Sequence, residues 1–128
     1  MNCLEVTKIR KKVKGYIKNI TENKIEEINE NAIITKNKIT YNSSEIKHTI
    51  YIKDKEIILI RENKEFKNIL TFKLNKSIIS EYIIKEKDIH LEINIKTLLL
   101  EINSNYILIK YLIEETNIIY EYKLLTEE

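Results

Sequence analysis

The chain has 128 residues and a formal net charge of +2, with one Gly, no Pro, no Trp and one Cys, and Ile, Lys, Glu and Asn fill most positions. That composition excludes collagen-like and Pro-rich architectures, glycine-rich nucleotide loops, a disulfide framework and any multi-cysteine metal cluster. An apolar share of 43% beside 33% charged residues fits a folded domain, and without an apolar run near the roughly 20 residues of a membrane span or a signal-peptide pattern, a cytoplasmic protein with no membrane partner is expected.

Residues 1–20 carry six basic groups against Glu5, whereas the segment from residue 112 onward is acidic. The run Lys8-Ile9-Arg10-Lys11-Lys12-Val13-Lys14 reads in two ways. It is a phosphate-binding strip, with Lys11, Lys12 and Lys14 as contacts and Tyr16 available to stack on a base, or a strand whose lysines discourage unwanted edge pairing. The low whole-chain charge favours the second, so nucleic acid is not the expected partner. Cys3 lies near the terminus with no positional relation to either histidine, which argues against a Cys–His nucleophile. Ile17, Ile20, Ile25 and Ile28 approach helical spacing. Alternation over 13–20 and the β-branched Ile33-Ile34-Thr35 instead predict two strands around a turn near 21–24.

From residue 38 onward the signal is period two. Ile46, His48, Ile50 and Ile52 fall on one face, and Lys47, Thr49, Tyr51 and Lys53 on the other. Asp54-Lys55 interrupts them, and Ile57, Leu59 and Arg61 resume the inner face, which predicts a hairpin with a two-residue connection. Phe66, Asn68, Leu70, Phe72 and Leu74 continue the alternation, and residues 77–84 form a further β-branched run. Ile89, Leu91, Ile93 and Ile95 alternate with His90, Glu92, Asn94 and Lys96, the pattern of a strand buried on one face. After the turn at Asn103-Ser104-Asn105, two final strands are predicted at about 106–114 and 117–125. Short strands joined by short turns must pair antiparallel, and closure or a second sheet must hide their apolar face and edges. With Gly and Pro almost absent, Asn and Asp are expected to supply the left-handed turn conformations.

No linker or repeat divides the chain, so residues 1–128 read as one domain. Few residues can carry chemistry. His90 shares parity with Glu92 and points to solvent, and the pair does not make a metal site by itself. His48 lies on the apolar face. The eighteen glutamates are spread among lysines in the manner of a mixed-charge surface. No catalytic constellation, metal site or cofactor motif is visible, and an enzyme is not expected. Arg61, one of two arginines, points toward the apolar side, either as an anion anchor near a barrel mouth, or as half of an internal ion pair with a neighbouring Glu or a snorkelling cap over the core. Tyrosines suit places with one dry and one hydrogen-bonded end, which describes a ligand pocket and a barrel rim alike. Tyr120 and Tyr122 share a face with Ile118 and Leu124.

The stretch from Ile46 to Arg61, the Phe66–Lys73 strand and Glu81-Tyr82 together resemble the bacterial YwiB-like family, small cytoplasmic proteins with a domain of unknown function. The resemblance implies a calycin-like, lipocalin-like barrel. Where family members carry a Pro- and Gly-containing segment after the position of Tyr82, this chain reads Ile83-Ile84-Lys85-Glu86-Lys87-Asp88. The expected fold is a single antiparallel up-and-down β-barrel of eight to ten strands. The expected function is non-catalytic binding of a small apolar or amphipathic ligand inside it, with Arg61, Tyr82, Tyr120 and Tyr122 as contacts. A protein- or RNA-interaction module built on the outer face and Lys11, Lys12 and Lys14 is the alternative.

Overall fold

The computed structural model describes residues 8–127, so Cys3 and Glu5 lie outside the described residues. Ten strands follow one another: β1 (Ile9–Asn19), β2 (Lys24–Thr35), β3 (Lys38–Ser43), β4 (Ile46–Lys53), β5 (Glu56–Glu62), β6 (Phe66–Phe72), β7 (Ser77–Ile84), β8 (Ile89–Ile102), β9 (Tyr106–Ile113) and β10 (Ile118–Thr126). Each pairs antiparallel with its neighbour in sequence, and β1 pairs with β10, closing an up-and-down barrel. Closure removes both edges, which the alternating pattern alone left open. The N-terminal third is strand, as its alternation predicts: β-branched Ile on an inward face outweighs the approximate helical spacing.

The turns fall into two sets. The β1–β2, β3–β4, β5–β6, β7–β8 and β9–β10 connections lie at one end, here the upper end, and the remaining four at the lower end. Left-handed conformations fall at Asn23, Asn75, Asp88 and Asn117, as expected of Asn and Asp, but also at Ser44, Glu45 and Lys55. With no glycine in the turns, ordinary side chains carry positive φ at a local cost.

The single glycine is not in a turn. Gly15 lies in β1 opposite Leu124, and a Cβ on it would sit 1.8 Å from the Lys123 carbonyl oxygen. It permits the close approach that closes β1 against β10. A second closure device is in β8, where the register with β9 shifts between Thr97 and Leu99. The bulge bends the strand. It leaves Thr97 buried, its Oγ1 accepting a hydrogen bond from the Lys73 amide (3.2 Å).

Most inward positions of the middle and lower barrel are apolar. Val13, Ile39, Ile50, Ile57, Leu59, Leu70, Phe72, Ile95, Ile109 and Leu124 form one core in this part of the interior. Burying such side chains stabilises by roughly 1.5–3 kcal/mol each relative to exposure. One sequence reading needs correction here. In β8 only Ile95 of the alternating set is buried; Ile89 and Leu91 are exposed although they share its inward parity. They sit beyond the core at the upper end of β8, where their side chains are exposed.

Candidate site at the upper mouth of the barrel

The upper end of the interior is lined by a different set of residues. Register fixes their height. Tyr41 on β3 pairs with His48 on β4, His48 with Arg61 on β5, Arg61 with Asn68 on β6, and Asn68 with Tyr82 on β7. Side chains directly opposite in an antiparallel pair share a face, so these five residues form a continuous inward row across five adjacent strands. Tyr82 in turn pairs with Leu91 of β8. From the far wall Tyr122 closes the ring, its hydroxyl 2.5 Å from that of Tyr41. Beside it Tyr111 stacks on Tyr120 at 5.5 Å between ring centroids.

Most of the row is aromatic and tightly held. Tyr41 and His48 lie parallel, centroids 4.6 Å apart, and Phe66 and Tyr82 are parallel at 5.3 Å. His48 is 1% exposed. Burial, and then the neighbouring Arg61 charge, push its pKa down to about 4, so the imidazole is neutral at pH 7. Burial pushes the Tyr41 phenol up to about 12 and raises those of Tyr111 and Tyr122 as well, although Arg61 opposes each rise. All three phenols are therefore protonated donors at neutral pH. Arg61 is the common neighbour of this group and its one fixed positive charge.

Among the described residues four enclosed polar atoms have no partner: His48 Nδ1, Arg61 Nε, Asn68 Oδ1 and Ser80 Oγ. Three belong to consecutive members of the row. Ser80, 1% exposed, lies two residues before Tyr82 on the same face of β7. Among the described residues no carboxylate forms an ion pair with Arg61; the pairs present join Lys14 to Glu127, Lys24 to Glu22, Lys73 to Glu56, Lys85 to Glu62 and His90 to Asp88. The internal ion pair that the sequence allowed for Arg61 is absent from these residues. Buried polar groups nearly always find partners, so four orphaned atoms in one region leave hydrogen-bonding capacity unmet there.

The structure brings together Arg61, Tyr82 and Tyr122 and sets Tyr120 beside them through its stack on Tyr111. It adds Tyr41, His48, Asn68, Ser80 and Tyr111, which the sequence reading left out. Part of that addition was readable. Counting outward from the two-residue turn at Asp54-Lys55 sets His48 opposite Arg61, and the inward parity of both was already plain.

The basic segment behaves otherwise. Alternation splits it: Lys11 turns inward toward Ala32, while Lys12 and Lys14 share the outer face with Tyr16. On that face Lys14 pairs with Glu127 at 2.9 Å, and Tyr16 donates a hydrogen bond to Glu121, which holds its pKa at about 12. The strip is thus divided and, on its outer face, interleaved with acids. At the lower mouth Lys11 borders a pocket of about 160 Å³ lined by Ile34, Ile39, Ile52, Ile107 and Leu124. His90 is exposed and hydrogen-bonded to Asp88 at 3.2 Å. Among the described residues no three His, Cys, Asp or Glu side chains converge as a metal site needs, and no helix is long and apolar enough to cross a membrane.

No family model matches the chain, and no curated protein matches it. Among solved structures it is similar to the ywiB protein from Bacillus subtilis, with a TM-score of 0.69 at 17% identity over 95% of this chain and 92% of that one. The chain thus has a YwiB-like β-barrel fold. At that identity the likeness concerns the fold alone.

Proposed function

We propose that the barrel binds a small amphipathic ligand at its upper mouth, without catalysis, and that Arg61 is the anchor for the ligand's polar end. The observation that carries this reading is an arginine turned into the barrel with an enclosed Nε–H, no carboxylate partner among the described residues and three further orphaned polar atoms around it. Arg61 is half-buried, so part of its charge is screened from water without a counter-charge, and a bound anion offsets the cost of that burial. The apolar half of the ligand has a surface to rest on. Inward-facing Ile89 and Leu91, 39% and 46% exposed, line the mouth next to Tyr82 and its stacked neighbour Phe66. Anchor and lip adjoin, which is the layout of a site for a molecule with one polar and one apolar end.

Native mass spectrometry of the purified protein tests this. The wild type is expected to carry a small-molecule adduct that Arg61→Met lacks. Adduct-free wild-type protein that also takes up no straight-chain carboxylic acid contradicts the proposal. The outer-face interaction module gains no support from the structure, because Lys14 and the Tyr16 hydroxyl are already engaged by Glu127 and Glu121.

A further inference from the structure

The lower end of the barrel holds a cavity of about 160 Å³, walled by Thr35 and Lys36 at the β2–β3 turn and by residues 103–106 at the β8–β9 turn. Both walls are pinned by backbone. Asn37 O accepts from the Ile52 amide and Asn105 O from the Thr126 amide, each at 2.8 Å, so the cavity keeps its shape without a ligand. Its floor is the core: Ile39, Ile107 and Leu124 line it and are 6%, 5% and 1% exposed. Ile34 and Ile52 complete an apolar cage.

One charged side chain interrupts that cage. Val13 is fully buried, and alternation along β1 turns Lys11 to the same inward face. Lys11 lies directly opposite Ala32 and is half-buried, whereas Arg10 and Lys12 on the outer face are exposed. An inward lysine covers apolar surface with its stem and carries its ammonium to the rim. With Lys36 it gives the cavity lining two cations and no Asp or Glu. The acids nearby are placed elsewhere. Glu127 pairs with Lys14 on the outside, and Glu101 accepts from the Tyr106 hydroxyl at 2.8 Å. Glu30, inward on β2 and opposite Val13, lies toward the upper end and does not line the cavity. Among the described residues neither Lys11 nor Lys36 forms an ion pair.

Volume limits what can enter. An apolar cavity of roughly 150 Å³ holds a benzene ring, so this one accommodates a body of about six to eight carbons. Because the core closes it from above, a longer chain has no continuation.

We propose that the lower mouth is a second binding site, separate from Arg61, which takes a small organic anion with a compact apolar body. The body rests against Ile34, Ile52 and Leu124, and the anionic head meets the Lys11 ammonium at the rim. Lys36 adds to the positive field there.

Calorimetric titration at pH 7 with phenylacetate, 2-phenylethanol, 2-phenylethylamine and laurate tests the proposal. Phenylacetate is expected to bind at least about tenfold more tightly than the alcohol or the amine, and laurate no more tightly than phenylacetate. Arg61→Met should bind phenylacetate within about twofold of the wild type, since the two sites share no residue. Lys11→Met keeps the stem and removes the charge; the advantage of the acid over the alcohol should shrink to within about twofold while the alcohol still binds. Ile34→Trp fills the cavity and should abolish uptake of both, and should either variant fail to fold the other decides. Phenylacetate held equally by the wild type and Lys11→Met, or still held by Ile34→Trp, overturns the site, as does binding of none of the compounds. Tightest binding of laurate overturns the compact body. Binding lost in Arg61→Met and kept in Lys11→Met overturns this site and leaves the upper anchor standing.

Discussion

The two ends of the barrel are built on the same alternation and differ in what occupies the inward positions. At the lower end and through the middle, Ile57, Leu59, Leu70, Phe72 and Leu124 pack against one another and need nothing further. At the upper end the same parity holds Tyr41, His48, Arg61, Asn68 and Ser80, and polar atoms on four of these residues have no partner. The packed core and the unpaired polar groups are therefore segregated along the barrel axis. The apolar half contributes burial, and the polar half carries an arrangement that stability alone does not call for.

The contrast can be broken most forcefully from the apolar side. Phe72 is fully enclosed and packs on Tyr111 at 4.9 Å. Phe72→Ala should lower the unfolding free energy by about 3–5 kcal/mol in urea denaturation. A loss below about 1 kcal/mol would mean that this half is not the packed core.

A smaller effect sharpens the polar side through its pH dependence. His48 is neutral in the folded protein down to about pH 4 and titrates near 6.5 once unfolded. Protons therefore favour the unfolded chain as pH falls from about 6.5 toward 4, and stability declines over that window. Between pH 7 and 5 the wild type should lose about 2 kcal/mol that a His48→Phe variant does not lose. Parallel pH profiles for the two proteins would contradict the enclosed, neutral imidazole.

The smallest effect belongs to the outside of the barrel. Lys14 and Glu127 form an exposed pair, and Lys14→Ala should change stability by no more than about 0.5 kcal/mol. Its affinity for single-stranded RNA, measured by gel mobility across salt concentrations, should not differ from the wild type. A marked drop would restore a role for the basic strip.

Much of the architecture is legible in the amino-acid sequence, and the reason is periodicity. β-branched residues alternating with Lys, Glu and Asn mark strands and faces, as at Ile46–Lys53, and short polar turns force antiparallel neighbours. Closure of β1 on β10 is not local, and its enabling residue, Gly15, looks from sequence like any isolated glycine. The site is partly legible. Parity turns Arg61 and Tyr122 inward, but it cannot tell how far along the axis the packed core extends. For that reason Ile89 and Leu91 read as buried when they are exposed beyond the core. Nor can it show that Tyr41 and Tyr122, 81 positions apart, share a hydrogen bond. The same limit hides the missing acid: many glutamates are available to pair with Arg61, and only the register shows that the residues opposite it are His48 and Asn68.

Under the proposed function Arg61 is retained for an anion from outside the chain and not for an internal partner. The unfolding free energy of Arg61→Met against the wild type, both free of ligand at pH 7, tests it most directly. Removing an inward charge that has no partner should leave stability unchanged or raise it by about 1–2 kcal/mol. A fall of about 3–5 kcal/mol, the signature of a broken buried ion pair, would contradict the account.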